Sequence, residues 1–184
     1  MNRKLIVLFP GVGYHNDKPL MYYTKKIAKK HDYEIVEISF DFSDVKFIKG
    51  DSEAVKMAID AACSQAVEQL KGVAFSDYDR VVFVGKSIGT AVMARYSAEC
   101  GVNAEMIVFT PIAETFDYQG INGTVFHGSA DPLCDTGLCV RLCDEMSLTC
   151  TVIPNANHSL ETGDIETDIS NLGKVMVTVE NCLG

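Results

Sequence analysis

Leu5 to Phe9 is a continuous apolar run that stops at Pro10-Gly11, the pattern of a short strand buried on both faces of a parallel sheet. Similar runs recur at Glu34 to Phe40, Arg80 to Val84, Ala104 to Thr110, Thr124 to His127 and Leu148 to Ile153. The intervals between them read as helices. From Glu53 to Leu70, Val55, Ala58, Ile59, Ala62, Ala66, Val67 and Leu70 repeat at three- and four-residue steps, which marks one buried stripe of an amphipathic helix. Asp51 or Ser52 is placed to cap its start and Gly72 to end it. Less regular helical patterns fill Leu20 to Lys30, Ile88 to Glu99, Thr136 to Met146 and Asp164 to Cys182. This alternation predicts a three-layer α/β/α sandwich with a mostly parallel sheet of about six strands.

The 184 residues suit one domain spanning 1–184, and no repeat, low-complexity tract or charge run divides them. Sixteen Lys and Arg against 25 Asp and Glu give a formal charge of -9, which repels nucleic-acid phosphates and anionic headgroups. The densest basic cluster, Lys25, Lys26, Lys29 and Lys30, lacks the interleaved aromatics that base stacking needs and reads as a solvated helix face. The apolar run after Arg3-Lys4 is too short for a signal peptide, and no stretch approaches a membrane span. The expectation is a cytoplasmic protein that binds neither nucleic acid nor membrane.

Seven cysteines, an odd number, suit reduced thiols in such a compartment. Cys134, Cys139 and Cys143 form the tightest set, but without paired C-x-x-C spacing they read as core fillers, so no metal is expected.

In a parallel sheet, ligands bind beyond the carboxyl ends of the strands. After Val81 to Val84 comes Gly85-Lys86-Ser87-Ile88-Gly89, a G-x-S-x-G pattern between strand and helix. The bare pattern arises by chance in roughly one chain in 20 of this length, so the preceding apolar strand and the small Thr90, Ala91 and Ala94 that follow carry the weight. A strained turn pushes the Ser87 hydroxyl outward, and the flanking positions tolerate no Cβ where strand and helix nearly touch.

A serine needs a base and an orienting acid, which in this scaffold follow in the order Ser, acid, His. His15 and His31 precede Ser87, and His127 sits at a strand end as a packed structural residue. His158, in the polar loop after Leu148 to Ile153, is the candidate base. Asp131 lies just beyond Thr124 to His127 and is the candidate acid; Asp135, the alternative, also suits capping the next helix.

With these three motifs the chain resembles the α/β-hydrolase superfamily, specifically its small lidless members similar to dienelactone hydrolases and carboxylesterases. Gly85 to Gly89 looks like the family's nucleophile elbow, His127-Gly128-Ser129-Ala130-Asp131 like its acid turn and Asn157-His158 like its base loop. The resemblance implies Ser87 as nucleophile, Asp131 as acid and His158 as base of a serine hydrolase acting on small acyl esters or thioesters. It implies an oxyanion hole from the backbone N–H groups of Ile88 and Val12, with Gly13 the alternative to Val12, and no cofactor. Tyr14 and His15 stand at the expected pocket rim. The chain begins at what would be the relatives' third strand, and only about a dozen residues separate Thr110 from Gly123, so a trimmed fold without lid is expected. A short-peptide or acyl-protein thioesterase activity, or a non-catalytic ligand-binding protein on the same fold, are the other readings.

Overall fold

The computed structural model describes residues 3–43 and 52–184. Six strands form one sheet, all parallel, in the order β2-β1-β3-β4-β5-β6. They are β1 (Lys4–Phe9), β2 (Tyr33–Glu37), β3 (Arg80–Lys86), β4 (Glu105–Phe109), β5 (Gly123–Gly128) and β6 (Thr149–Ile153). The five helices are α1 (Pro19–Lys30), α2 (Ser52–Leu70), α3 (Ile88–Cys100), α4 (Thr136–Glu145) and α5 (Ile165–Leu183). Asp51, one of the two expected caps of α2, lies outside the described residues.

Two apolar layers sandwich the sheet, as the continuous runs require. Leu5, Ile6, Val7, Leu8 and Phe9 are all fully buried, alternating between the two cores. Leu5, Val7 and Phe9 pack with α2, α3 and the thiols of α4. Ile6 and Leu8 face the layer of α1 and α5, through Leu20, Ala28, Val175 and Val179. The sheet is therefore covered on both faces, which a parallel sheet needs.

The chain leaves β1 for β2 on one side and returns to β3 on the other, so strand order reverses between β1 and β3. Their carboxyl ends diverge there and leave a crevice, the usual ligand position in this architecture. Pro10 to Tyr14 follows β1 into it and Ser87 follows β3.

Two strand ends differ from the sequence expectation by more than one residue. β2 stops at Glu37 instead of Phe40, because β1 turns away at Pro10 and offers no further partner. The Ser39 and Asp41 N–H groups instead donate to Gln69 Oε1 (3.0 Å) and Gln65 Oε1 (2.8 Å) of α2. β3 runs past Val84 through Lys86, since Gly85 and Lys86 still pair with Val108 and Phe109 of β4.

Between β4 and β5 lies only the short 3-10 turn Ala113–Asp117, where Phe116 packs into the core, so that connection holds no lid. No helix among the described residues is long and apolar enough to cross a membrane.

Helix α4 starts at Asp135, whose Oδ1 accepts from Leu138 N at 2.9 Å. An N-cap side chain of this kind contributes about 1 kcal/mol. Asp135→Ala is expected to lower unfolding stability by about that amount, read as a shift in urea midpoint at unchanged m-value.

Candidate active site

Ser87 caps α3 with φ 56° and ψ -125°, a conformation side chains rarely adopt. Such a residue carries about 1–3 kcal/mol of strain and persists only where its surroundings over-determine it. They do here. Ser87 N donates to Phe109 O (3.1 Å), and Ser87 O accepts from Thr90 N (2.9 Å) and Thr90 Oγ1 (2.6 Å). The Thr90 hydroxyl is itself held against Thr115 Oγ1 at 2.6 Å.

The two elbow glycines are required by contact. A Cβ on Gly89 would sit 2.0 Å from Phe9 O, and one on Gly85 would sit 2.8 Å from both Met93 Sδ and Thr90 Cα. Helix α3 can start against the end of β1 only because both side chains are missing.

The hydroxyl so presented meets a histidine. His158 Nε2 lies 2.7 Å from Ser87 Oγ, and His158 Nδ1 lies 2.7 Å from Asp131 Oδ2. With Nδ1–H donated to the carboxylate, Nε2 is free to accept the serine proton. Burial would push the Asp131 carboxyl up, but its hydrogen bonds with His158 and with the Leu133 N–H (2.9 Å) outweigh that and hold it below the ordinary carboxylate value. Of the two candidate carboxylates, Asp131 lies against the His158 ring, whereas Asp135 caps α4.

Acid turn and base loop are built as one piece. Ser129 N donates to Ile153 O (3.0 Å), Ala130 N to Ala156 O (2.9 Å) and Asn155 N to Ser129 Oγ (2.7 Å). Gly128 lets the two segments touch, since a Cβ there would be 2.3 Å from Ala156 O. The base loop is closed by Asn157, whose Oδ1 accepts from Ser159 N (2.7 Å) and Glu161 N (3.2 Å) and whose own N–H donates to Glu161 O (2.8 Å). His158 therefore projects from a hydrogen-bonded loop, a firmer mount than the polar sequence around it suggests.

After β1, Gly11 and Tyr14 exchange backbone hydrogen bonds (Gly11 N to Tyr14 O, 3.1 Å; Tyr14 N to Gly11 O, 3.3 Å). This closes a tight turn with Gly13 at φ 67°. The turn abuts Ser87: a Cβ on Gly11 would be 3.1 Å from Ser87 Cβ. Among the described residues, no protein acceptor takes the N–H of Val12, Gly13 or Ile88, the first residue of α3. Tyr14 is largely buried, its hydroxyl accepting from Leu20 N (3.2 Å), whereas His15 lies exposed beside Asp17.

His127 is buried as expected, its Nε2 3.0 Å from Thr136 Oγ1. Its Nδ1 has no hydrogen-bond partner and stands 4.0 Å from Asp131 Oδ2. Burial holds its pKa below the ordinary histidine value, so the ring stays neutral at neutral pH.

One feature of the site escapes the sequence reading. Lys86 is 1% exposed, with Nζ 4.9 Å from the Tyr14 ring centroid. A strand read as ending at Val84 hides this. Extended to Lys86, its alternation places that side chain on the same buried face as Val82 and Val84.

No protein-family model matches this chain and no curated protein does, but solved structures match it over nearly its full length. An alpha-beta serine hydrolase homologue from Coxiella burnetii shares 13% identity at TM-score 0.68, covering 100% of this chain and 86% of that one. A serine hydrolase without lid from Xanthomonas campestris shares 18% identity at TM-score 0.62, covering 98% and 82%. Est1E from Butyrivibrio proteoclasticus, solved with ferulic acid bound, shares 11% identity at TM-score 0.71, covering 100% and 89%. The chain has the α/β-hydrolase fold in its lidless form.

Burial lowers the Lys86 ammonium from 10.5 to about 7, with Asp131 and Glu161 pulling part of the way back. Between those values the unfolded chain holds a proton that the folded one does not. Stability due to Lys86 thus rises with pH across that window, and the full penalty stands below about pH 7. At about 1.4 kcal/mol per unit, Lys86→Met is expected to be more stable than the parent by a few kcal/mol at pH 6. The difference should shrink steadily towards pH 10 in paired urea titrations.

Proposed function

We propose that this protein is a serine hydrolase of the carboxylesterase and dienelactone-hydrolase kind, cleaving small acyl esters or thioesters through an acyl-enzyme. The observation that carries the reading is the single imidazole bridging Ser87 Oγ and Asp131 Oδ2 at 2.7 Å on each side. The esterases and serine hydrolases sharing the fold support it.

In this reading His158 Nε2 takes the proton as Ser87 Oγ attacks the acyl carbon. The ring becomes an imidazolium, which the Asp131 carboxylate stabilises. The new oxyanion is met by the uncommitted N–H groups of Ile88 and Val12, donors of a kind worth about 2.7–4 kcal/mol each in a transition state. His158 then gives its proton to the leaving alcohol or thiol. Water, activated by the same nitrogen, releases the acid and restores the serine. The first proton transfer joins groups already in hydrogen-bond contact, and the later ones return through the same nitrogen, so this chemistry needs no cofactor.

We assign the acyl group to a cleft of about 200 Å³ that adjoins the loop carrying His158, with Ser87 and His158 themselves outside its lining. It is lined by Tyr14 from the turn after β1, Ser159 and Leu160 from the base loop, and Leu20, Ile169 and Leu172 from α1 and α5. An engineered apolar cavity of about 150 Å³ accepts a benzene, so this cleft suits an acyl group of roughly six carbons. Lys86 and the carboxylate of Glu161 lie close by, one buried and the other at the cleft wall.

Two outcomes test the proposal. A fluorophosphonate is expected to add once to the parent protein and not at all to Ser87→Ala, by intact mass; an unmodified, folded parent would refute an activated serine. Across p-nitrophenyl esters, kcat/KM should climb from acetate to about hexanoate, by up to about fourfold per methylene at roughly 0.8 kcal/mol each, and then level off. A continued rise to palmitate would refute the assignment of this cleft to the acyl group.

A further inference from the structure

The fold gathers thiols that the sequence leaves scattered. Spacing alone groups Cys134, Cys139 and Cys143, whereas the tightest set in space is Cys139, Cys143 and Cys150, whose sulfurs lie within 4.8 Å of one another. Cys139 and Cys143 are one turn apart on the buried face of α4, both fully buried. Cys150 comes from the edge strand β6, beside Val125, and is half-buried. The fourth thiol, Cys134, is buried in the loop after Asp131, its Sγ 3.9 Å from Asp135 O at the start of α4. No other group of three ligating side chains comes this close among the described residues.

Thiols that serve only as small apolar fillers have no reason to point their sulfurs at one spot. A metal supplies one. Zn–S bonds of about 2.3 Å place tetrahedral thiolates about 3.8 Å apart, so no pair of the three has to close by more than about 1 Å. Thiolate ligands select closed-shell ions such as Zn²⁺, which impose no geometry of their own.

We propose that Cys139, Cys143 and Cys150, with Cys134 as fourth ligand, form a structural Zn²⁺ site behind the acid turn. Four S–H bonds break, four Zn–S bonds form and four protons go to solvent, with no electron transferred. The ion ties the inward face of α4 to the sheet edge and to the loop that begins at Asp131. The site is independent of the hydrolase reading, because no step of that chemistry passes through these thiols.

The test uses the full chain, freed of metal with a chelator under reducing, oxygen-free conditions and checked for seven reactive thiols after denaturation. Zn²⁺ is titrated against a chromophoric chelator, and Co²⁺ serves as the spectroscopic probe. The expected result is one ion per chain, thiolate-to-cobalt charge-transfer bands with intense tetrahedral d–d absorption, and a higher thermal midpoint with Zn²⁺. Cys143→Ser and Cys150→Ser should each weaken Zn²⁺ binding beyond the roughly 10–100-fold that outer-sphere changes cost. Cys63→Ser should leave it unchanged, and far-UV circular dichroism verifies that each variant folds. A reduced, folded parent that takes up neither ion would overturn the proposal. So would undiminished binding in Cys150→Ser, or a disulfide within the cluster in place of metal uptake. Fluorophosphonate labelling of the metal-free protein, measured alongside, separates failure of this site from failure of the serine assignment.

Discussion

Everything at this site depends on one residue held in a conformation that it would not choose. Ser87 is fixed at positive φ by a hydrogen bond from its N–H to β4 and two to its carbonyl from Thr90, and its strain is offset by the sheet and by α3. Three segments then take their positions from it. The turn after β1 fits against it because Gly11 brings no side chain, α3 starts against Phe9 O because Gly89 brings none, and His158 reaches its hydroxyl from the far end of the sheet.

The second constraint is that the segments carrying Asp131 and His158 belong to one hydrogen-bonded unit. Three bonds join the segment after β5 to the segment after β6, and Gly128 removes the side chain that would part them. The histidine, glycine and aspartate of the acid turn accordingly have separate physical duties. His127 packs against Thr136, Gly128 admits the neighbouring loop, and Asp131 receives the His158 ring.

Much of this was legible in the residues because local chemistry forced it. A buried parallel strand must be apolar on both faces, so Leu5 to Phe9 was readable as β1, and a strand-to-helix elbow must be flanked by glycines, so Ser87 stood out. What local pattern cannot carry is contact between distant segments. The end of β2 is set by where β1 turns and by two glutamines of α2, and Cys150 meets Cys139 and Cys143 only because β6 lies beside β5. Lys86 falls between these cases: its alternation with Val82 and Val84 is in the sequence, but the elbow glycine beside it reads as the strand's end.

The tie between the last two strands bears on how the site comes into being. The elbow is complete once β1, β3 and β4 have paired, whereas His158 is placed only when β6, an edge strand with one neighbour, has joined β5. Local opening costs less where fewer neighbours hold an element. Separation of β6 from β5 would part His158 and the Asp131 turn from Ser87, while Ser87 itself would keep its place between β3 and α3.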